Sequence, residues 1–413
     1  MSVIRRGGRA PAWAQNLMLA GLSGLVGLGA LEIGARIVIA RRPVITTGEQ
    51  GIYSQFDPVL GWRNRPGASV RYSRRDYQTN VAINSLGFRD VERSRAKAPG
   101  ITRVLALGDS FIEAYTVELE ESVSRRTEVV ARAAGCPVEV VNAGVHGYST
   151  DQEALWYARE ADPLGGEVVL VFAYYNDVLN NIRGNYWGSP KPLTTVVNGE
   201  ILPINLPLPE PPRTAESPVV QAKPRAPIEG SALRQLLVER IVVGAPRLHG
   251  WLARMGVLDP IKAEPVPDEL RAYKARGQLA EFDEAWESTR ALLGALGESI
   301  RARHARPVLV YIPARFEISD RDWDLTIQRY GLEETAWDRA RVRMRFREIA
   351  APLGWNFLDL TPPLQAATSA LGGETYLPYD GHWNPRGHDV AARAVVAYLR
   401  DRNLLPCRVG DGS

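Results

Sequence analysis

The sequence predicts a doubly wound α/β domain with a mostly parallel five-stranded sheet, preceded by an N-terminal transmembrane helix. Three observations carry that expectation. Short apolar runs alternate with segments of helical spacing from residue 101 onward; Gly, Ser, Asn and His fall just after several of those runs; and an uncharged apolar stretch stands near the start. The 413 residues suit one large or two modest domains, and 45% hydrophobic against 23% charged residues is enough to build a core. Net charge is only +3, from 50 Lys+Arg and 47 Asp+Glu, which speaks against a nucleic-acid binder. Two cysteines exclude a disulfide-dense scaffold and a four-thiolate zinc site.

Taken in order, residues 1–12 read as a tail and 13–42 as the membrane anchor. No charge interrupts the 22 positions from Ala10 to Leu31, and about 20 suffice to cross a bilayer. Glu32 and Arg36 follow four apart, on one helix face where they can pair. Gly21, Gly24 and Gly27 make a thin face for a partner helix, or reflect ordinary glycine tolerance in a membrane. A cleaved signal peptide is the rival reading, but the run is long and no small-x-small site precedes Arg36. Arg5, Arg6 and Arg9 before the span, against Arg36, Arg41 and Arg42 after it, lean toward an internal N-terminus and an external, periplasmic-side body.

Residues 43–100 form a small lead-in module. Tyr72, Tyr77, Val81 and Ile83 suggest short strands, Asn84-Ser85-Leu86-Gly87 a turn, and Arg71, Arg74 and Arg75 a solvated basic patch. From 101 to 405 strands are expected at 104–107, 138–141, 168–172, 308–312 and 355–358. Helices are expected at 122–134, 150–161, 231–251, 283–304 and 333–350, with a last one capped by Asn384 and Pro385 and running to Leu399. Residues 184–270 interrupt the alternation; their prolines read as an irregular insertion, a lid or cap.

The chemistry-bearing residues cluster at strand ends. The first strand runs into Gly108-Asp109-Ser110-Phe111, where a turn at the sheet's carboxyl edge can aim a hydroxyl and backbone N–H groups at a ligand; a helix cap is the plain alternative for Ser110. The second ends in Asn142-Ala143-Gly144-Val145-His146-Gly147, whose glycines permit close backbone approach or simply turn the chain. The third ends in Tyr174-Tyr175-Asn176-Asp177, where a side-chain amide can donate to an oxyanion or cap a turn. Near the C-terminus, Asp380 and His382 stand two apart, so that in extended backbone they share a side and the carboxylate can hold the imidazole. His382 is one of five histidines; His388 reads as packing, and His146 as substrate contact or structure. A metal held by Asp380, His382, His388 and Asp389 matches no familiar ligand spacing, and neither metal nor cofactor is expected. Arg315, after the fourth strand, reads as solvated surface or an anion contact.

These residues, in this order, resemble the SGNH or GDSL-type hydrolase family over residues 101–405, the proline-rich insertion apart. Gly108-Asp109-Ser110 is similar to its first block, Gly147 to the glycine of its second, and Asn176 to the asparagine of its third. The resemblance implies a Ser110, His382, Asp380 triad and an oxyanion hole from the Ser110 and Gly147 N–H groups and the Asn176 amide. Two departures stand out. Tyr174 replaces the third block's glycine, and the acid lies two rather than three residues before His382. That spacing, followed by Trp383-Asn384, is similar to membrane-associated polysaccharide acetyltransferases of the alginate type; Asp359 is the reserve acid. The stretch Gly61-Trp62-Arg63 through Gly87-Phe88-Arg89 resembles the lead-in of membrane-anchored bacterial members.

The expected activity is therefore a membrane-tethered serine ester hydrolase acting on an acylated glycan or lipid. The alternatives are an O-acyltransferase of an envelope polysaccharide and a non-catalytic binding module of an envelope assembly. Cys136 and Cys407 flank helices that lie side by side in a flavodoxin-like sheet; separate thiols are expected, although a disulfide is geometrically allowed and would demand an oxidising compartment.

Overall fold

Five apolar runs become five parallel strands: β1 (Thr102–Leu107), β2 (Val138–Asn142), β3 (Val168–Ala173), β4 (Arg306–Tyr311) and β5 (Asn356–Asp359). They lie in the order β2-β1-β3-β4-β5, with every neighbouring pair parallel. This is the doubly wound flavodoxin-like order, in which ligands bind beyond the carboxyl ends of the strands. All six residues of β1 and of β3 are buried. A sheet covered on both faces needs such continuous apolar strands, and for that reason the runs stand out in the sequence.

The two faces separate by alternation. Leu105, Leu107, Val169, Val171 and Leu309 point into one core. It is covered by α2 (Thr150–Glu160), α3 (Ala280–Ala302) and α4 (Arg341–Ala350). Val104, Ala106, Leu170, Phe172 and Val310 point into the other core, under α1 (Val123–Ala133) and α5 (Pro385–Asp401). Asn384 caps α5 by accepting the Gly387 N–H at 2.9 Å. Because α1 and α5 share a face, the residues after them meet, and Cys136 and Cys407 form a disulfide. The expectation of separate thiols is corrected by that adjacency.

This computed structural model describes residues 11–211, 219–224, 226–277, 279–369 and 373–407. Arg5, Arg6 and Arg9, on which the orientation argument draws, lie outside them, as does Pro212 of the insertion. The chain forms two compact units, one of residues 44–223 and 261–413, the other of residues up to 43 with 224–260.

In the larger unit the lead-in folds as two hairpins, Ser54–Asp57 with Gly61–Asn64 and Ser69–Ser73 with Gln78–Ala82. Tyr53, Tyr72, Tyr77, Val81 and Ile83 pack together with Leu377. The turn at Asn84 forms, its carboxamide oxygen accepting the Leu86 and Phe88 N–H groups. The basic patch is not merely solvated. Arg74 pairs with Glu49 at 2.7 Å, and the Arg75 guanidinium lies 3.7 Å from the centre of the Tyr379 ring.

The insertion is more regular than its prolines suggest. It holds two hairpins, Asn185–Tyr186 with Ser189–Pro190 and Thr194–Val197 with Glu200–Pro203. The second turns at Asn198-Gly199, a strong hairpin dipeptide. The helix expected at 231–251 is two helices, Ala232–Gly244 and Pro246–Arg254. Pro246 starts the second because it has no N–H to continue the first. The helix expected at 333–350 begins only at Arg341.

The smaller unit contains the Ala12–Ala40 helix, 29 residues with a window of mean hydropathy 1.7, long and apolar enough to cross a membrane. A signal sequence meets the same description. Glu32 and Arg36 pair at 2.8 Å. The Glu32 carboxylate also accepts the Ala232 and Leu233 N–H groups, at 2.9 and 3.0 Å, so a charge within an apolar helix is neutralised by the start of another helix.

Candidate active site

At the carboxyl edge of the sheet, β1 ends in Gly108 and Asp109, and the chain turns into the short helix Ser110–Glu113. Asp109, not Ser110, caps it, its carboxylate accepting the Phe111 N–H at 2.9 Å. Burial raises the Asp109 carboxyl to about 6, against the lowering effect of that hydrogen bond and of the nearby His382. Ser110 is left with its hydroxyl 2.7 Å from His382 Nε2. The second imidazole nitrogen, Nδ1, meets the Asp380 carboxylate. Three residues from two segments 270 positions apart thus form one hydrogen-bonded line.

The charges agree with that line. Burial pulls the His382 imidazole down, but the Asp380 charge and hydrogen bond outweigh it and hold the ring above the ordinary histidine value. Burial pushes Asp380 up, and His382 more than cancels this, so the carboxyl sits below its usual range. Asp359, the reserve acid, is turned away; it accepts the Thr361 N–H and faces Arg343 and Arg347. His388 is buried and accepts the Val123 N–H, and Asp389 pairs with Arg126 and Arg393, so neither joins Asp380 and His382.

Ser110, Gly147, Asn176, Asp380 and His382 all line one cavity of about 840 Å³. Gly147 has φ +72°, a left-handed conformation that suits glycine, and a Cβ there would lie 2.4 Å from the Tyr186 ring. Asn176 lies in the short helix Tyr175–Asn180 that starts where β3 ends. Tyr174, in the place of the family's glycine, packs its ring 4.8 Å from Phe111 and walls one side of the cavity. The Phe111 ring also lies 4.7 Å from His382 at a tilt of 44°, and Trp383, fully buried, packs edge-on against Phe111. These rings fix the imidazole plane.

Several participants escaped the sequence reading. Tyr77 donates to Asp380 at 3.3 Å, and burial, with the Asp380 charge, keeps its phenol protonated. Asp76 accepts the Tyr379 and Asp380 N–H groups at 2.9 and 3.3 Å. Arg315 donates to the Leu377 and Pro378 carbonyls and pairs with Asp322 at 3.1 Å, so it supports this loop instead of standing free for an anion. No local pattern announces such contacts; Asp76 and Tyr379 are 303 residues apart. His146 stacks on Trp62, faces Glu113 at 3.5 Å and lines the cavity.

A strand order, a hydroxyl, an imidazole and a carboxylate so arranged are what an α/β enzyme of the esterase and acyltransferase type requires. Comparison with known proteins agrees: residues 270–408 match the family described as the SGNH hydrolase-like domain of acetyltransferase AlgX. Over residues 270–408 the chain thus carries an SGNH hydrolase-like domain as that family model describes it. It is 27% identical over 116 residues to a probable alginate O-acetylase, AlgJ, of Azotobacter vinelandii, a match spanning 28% of this chain and 28% of that relative. Among solved structures, it is similar to the lipase/acylhydrolase from Enterococcus faecalis at 12% identity and TM-score 0.37, over 74% of this chain and 98% of that one. A catalytic mutant of Axe2, an acetylxylan esterase from Geobacillus stearothermophilus, aligns at 10% identity and TM-score 0.36, over 74% and 96% of the two chains.

Proposed function

We propose that the protein is a membrane-tethered serine enzyme that transfers or hydrolyses an acyl group carried as an ester on a glycan. The observation that carries this reading is the continuous line from Ser110 through His382 to Asp380 in the wall of the cavity. His382 Nε2 takes the Ser110 proton as Oγ bonds to the ester carbonyl carbon. The backbone N–H groups of Ser110 and Gly147 and the Asn176 amide stabilise the tetrahedral oxyanion. The alcohol leaves with the proton held on His382. A water or a sugar hydroxyl then gives its proton to His382 and attacks the acyl carbon, which frees Ser110.

Hydrolysis and transfer share every step but the last acceptor. The likeness to an AlgX domain and to a probable alginate O-acetylase supports transfer at least as well as hydrolysis. The apolar Ala12–Ala40 helix supports a membrane anchor, and the Cys136–Cys407 disulfide supports a body in an oxidising, external compartment. The test is labelling of the full-length protein by a fluorophosphonate. Labelling at Ser110 that disappears in His382→Ala is expected; no labelling would favour a non-catalytic binding module. Adding a glycan acceptor to a reaction with an acetyl ester then separates the two enzymatic readings by whether acetylated glycan or free acetate accumulates.

A further inference from the structure

One feature of the cavity is unexplained by the acyl chemistry. The hairpin Asn185–Tyr186 with Ser189–Pro190 turns through Trp187 and Gly188, with φ +49° and +87°. A two-residue turn with both φ values positive favours Asn-Gly, because a bulky side chain is disfavoured in the left-handed region. Here the first position is tryptophan, and its side chain is 91% exposed. An exposed indole in an unfavourable backbone conformation gains nothing for the fold, and such outliers cluster at functional sites.

Trp187 is not isolated. Its ring lies 6.2 Å from Tyr186, and Tyr186 stacks on Trp62 at 5.8 Å with 27° between planes. Tyr186 reaches Gly147, and all three rings line the cavity that holds Ser110. The aromatic row thus runs from the acyl centre outward. Uncharged polar residues, Gln50, Ser54, Gln55 and Ser189, line the same cavity. Among the described lining residues, Arg315 is held by Asp322 at 3.1 Å, and Arg329 pairs with Glu264 at 2.9 Å in a half-exposed ion pair. Flat aromatic faces with uncharged hydrogen-bonding groups fit the apolar face and hydroxyl rim of a sugar ring.

We propose that Trp187 and Tyr186 form a subsite that stacks on a pyranose of the acylated glycan. This rests on the acyl-glycan reading above and adds a sugar-binding subsite to it. The test uses the full chain in detergent with three probes: p-nitrophenyl acetate, p-nitrophenyl laurate and O-acetylated xylotetraose. Trp187→Asn suits the turn and retains the fold. It is expected to raise KM for acetylated xylotetraose about tenfold more than KM for p-nitrophenyl acetate, the size of one lost ring contact. Trp187→Phe is expected to recover most of that difference. Equal effects on both probes would overturn the subsite, as would a selective loss on the laurate, which would make the row an acyl-chain groove. Absence of Ser110 labelling and of turnover with every probe would instead remove the underlying enzymatic reading.

Discussion

The two sides of the candidate site are built by different means. On the side proposed to carry the nucleophile, Ser110, Gly147 and Asn176 each lie within five residues of a strand end, and the strands they follow are held in register by the sheet. On the side proposed to carry the base, Asp380 and His382 stand between the helix Thr361–Ser369 and α5, outside the strands of the sheet. That loop is fixed by side chains from elsewhere: Asp76 and Tyr77 of the lead-in, and Arg315 after β4. A group placed by a sheet edge is hard to move. A group placed by three side-chain contacts can be displaced one contact at a time, and small displacements of a base have large kinetic consequences.

That contrast can be tested in order of expected effect, on the proposed assignment. Ser110→Ala removes the attacking atom, and the acylated intermediate with it. Turnover of p-nitrophenyl acetate should fall on the order of a millionfold, and a protein that keeps its rate would end the assignment. Asn176→Ala deletes one oxyanion donor and leaves the sheet intact. An expected loss of about 100- to 1,000-fold in kcat, with an unchanged melting temperature, would mark the nucleophile side as rigid.

The base side should respond more gradually. Asp76→Ala frees two N–H groups of the Tyr379–Asp380 turn, and about a 10- to 100-fold loss in kcat/KM is expected with the Ser110 labelling site unchanged. Asp76→Asn keeps an accepting oxygen and should recover much of that loss; if it does not, the carboxylate charge matters more than the clasp. Tyr77→Phe, which removes a single donor, should have a smaller effect than Asp76→Ala.

The smallest effect is a shift in pH dependence. His382 acts as a base only when neutral, so kcat/KM should rise with pH through a value above the ordinary histidine range. Asp380 is already ionised there, because its carboxyl is held low, and it contributes no second step. In Asp380→Asn the main cause of the raised imidazole is gone, and the residual activity should have its acid limb at lower pH. A limb that stays in place would mean that Asp109 or Glu113, the other carboxylates acting on His382, dominates.

Much of the nucleophile side was legible because the relevant signals are local. A strand buried on both faces must be a continuous apolar run, and the residues that leave it must sit at its end. Asp380 and His382 were also legible, since their spacing of two puts the carboxylate beside the ring. The clasp was hidden, because Asp76 and Tyr77 look like surface residues until the chain brings them to Tyr379 and Asp380. Arg74 and Arg75 were read as solvated for the same reason. The turn at Trp187-Gly188 was obscured by the prolines around it, and its tryptophan is not a residue that turn rules favour.

The amino-acid order alone determined the apolar helix near the start, the alternation of strands and helices, and the short motifs at the strand ends. Each depends on periodicity or on neighbours a few positions apart. Only the tertiary structure decided that Cys136 meets Cys407 and that Asp76 and Tyr77 of the lead-in reach the Tyr379–Asp380 turn. These contacts join segments hundreds of residues apart, and their existence depends on how the two faces of the sheet are covered, which no local pattern encodes.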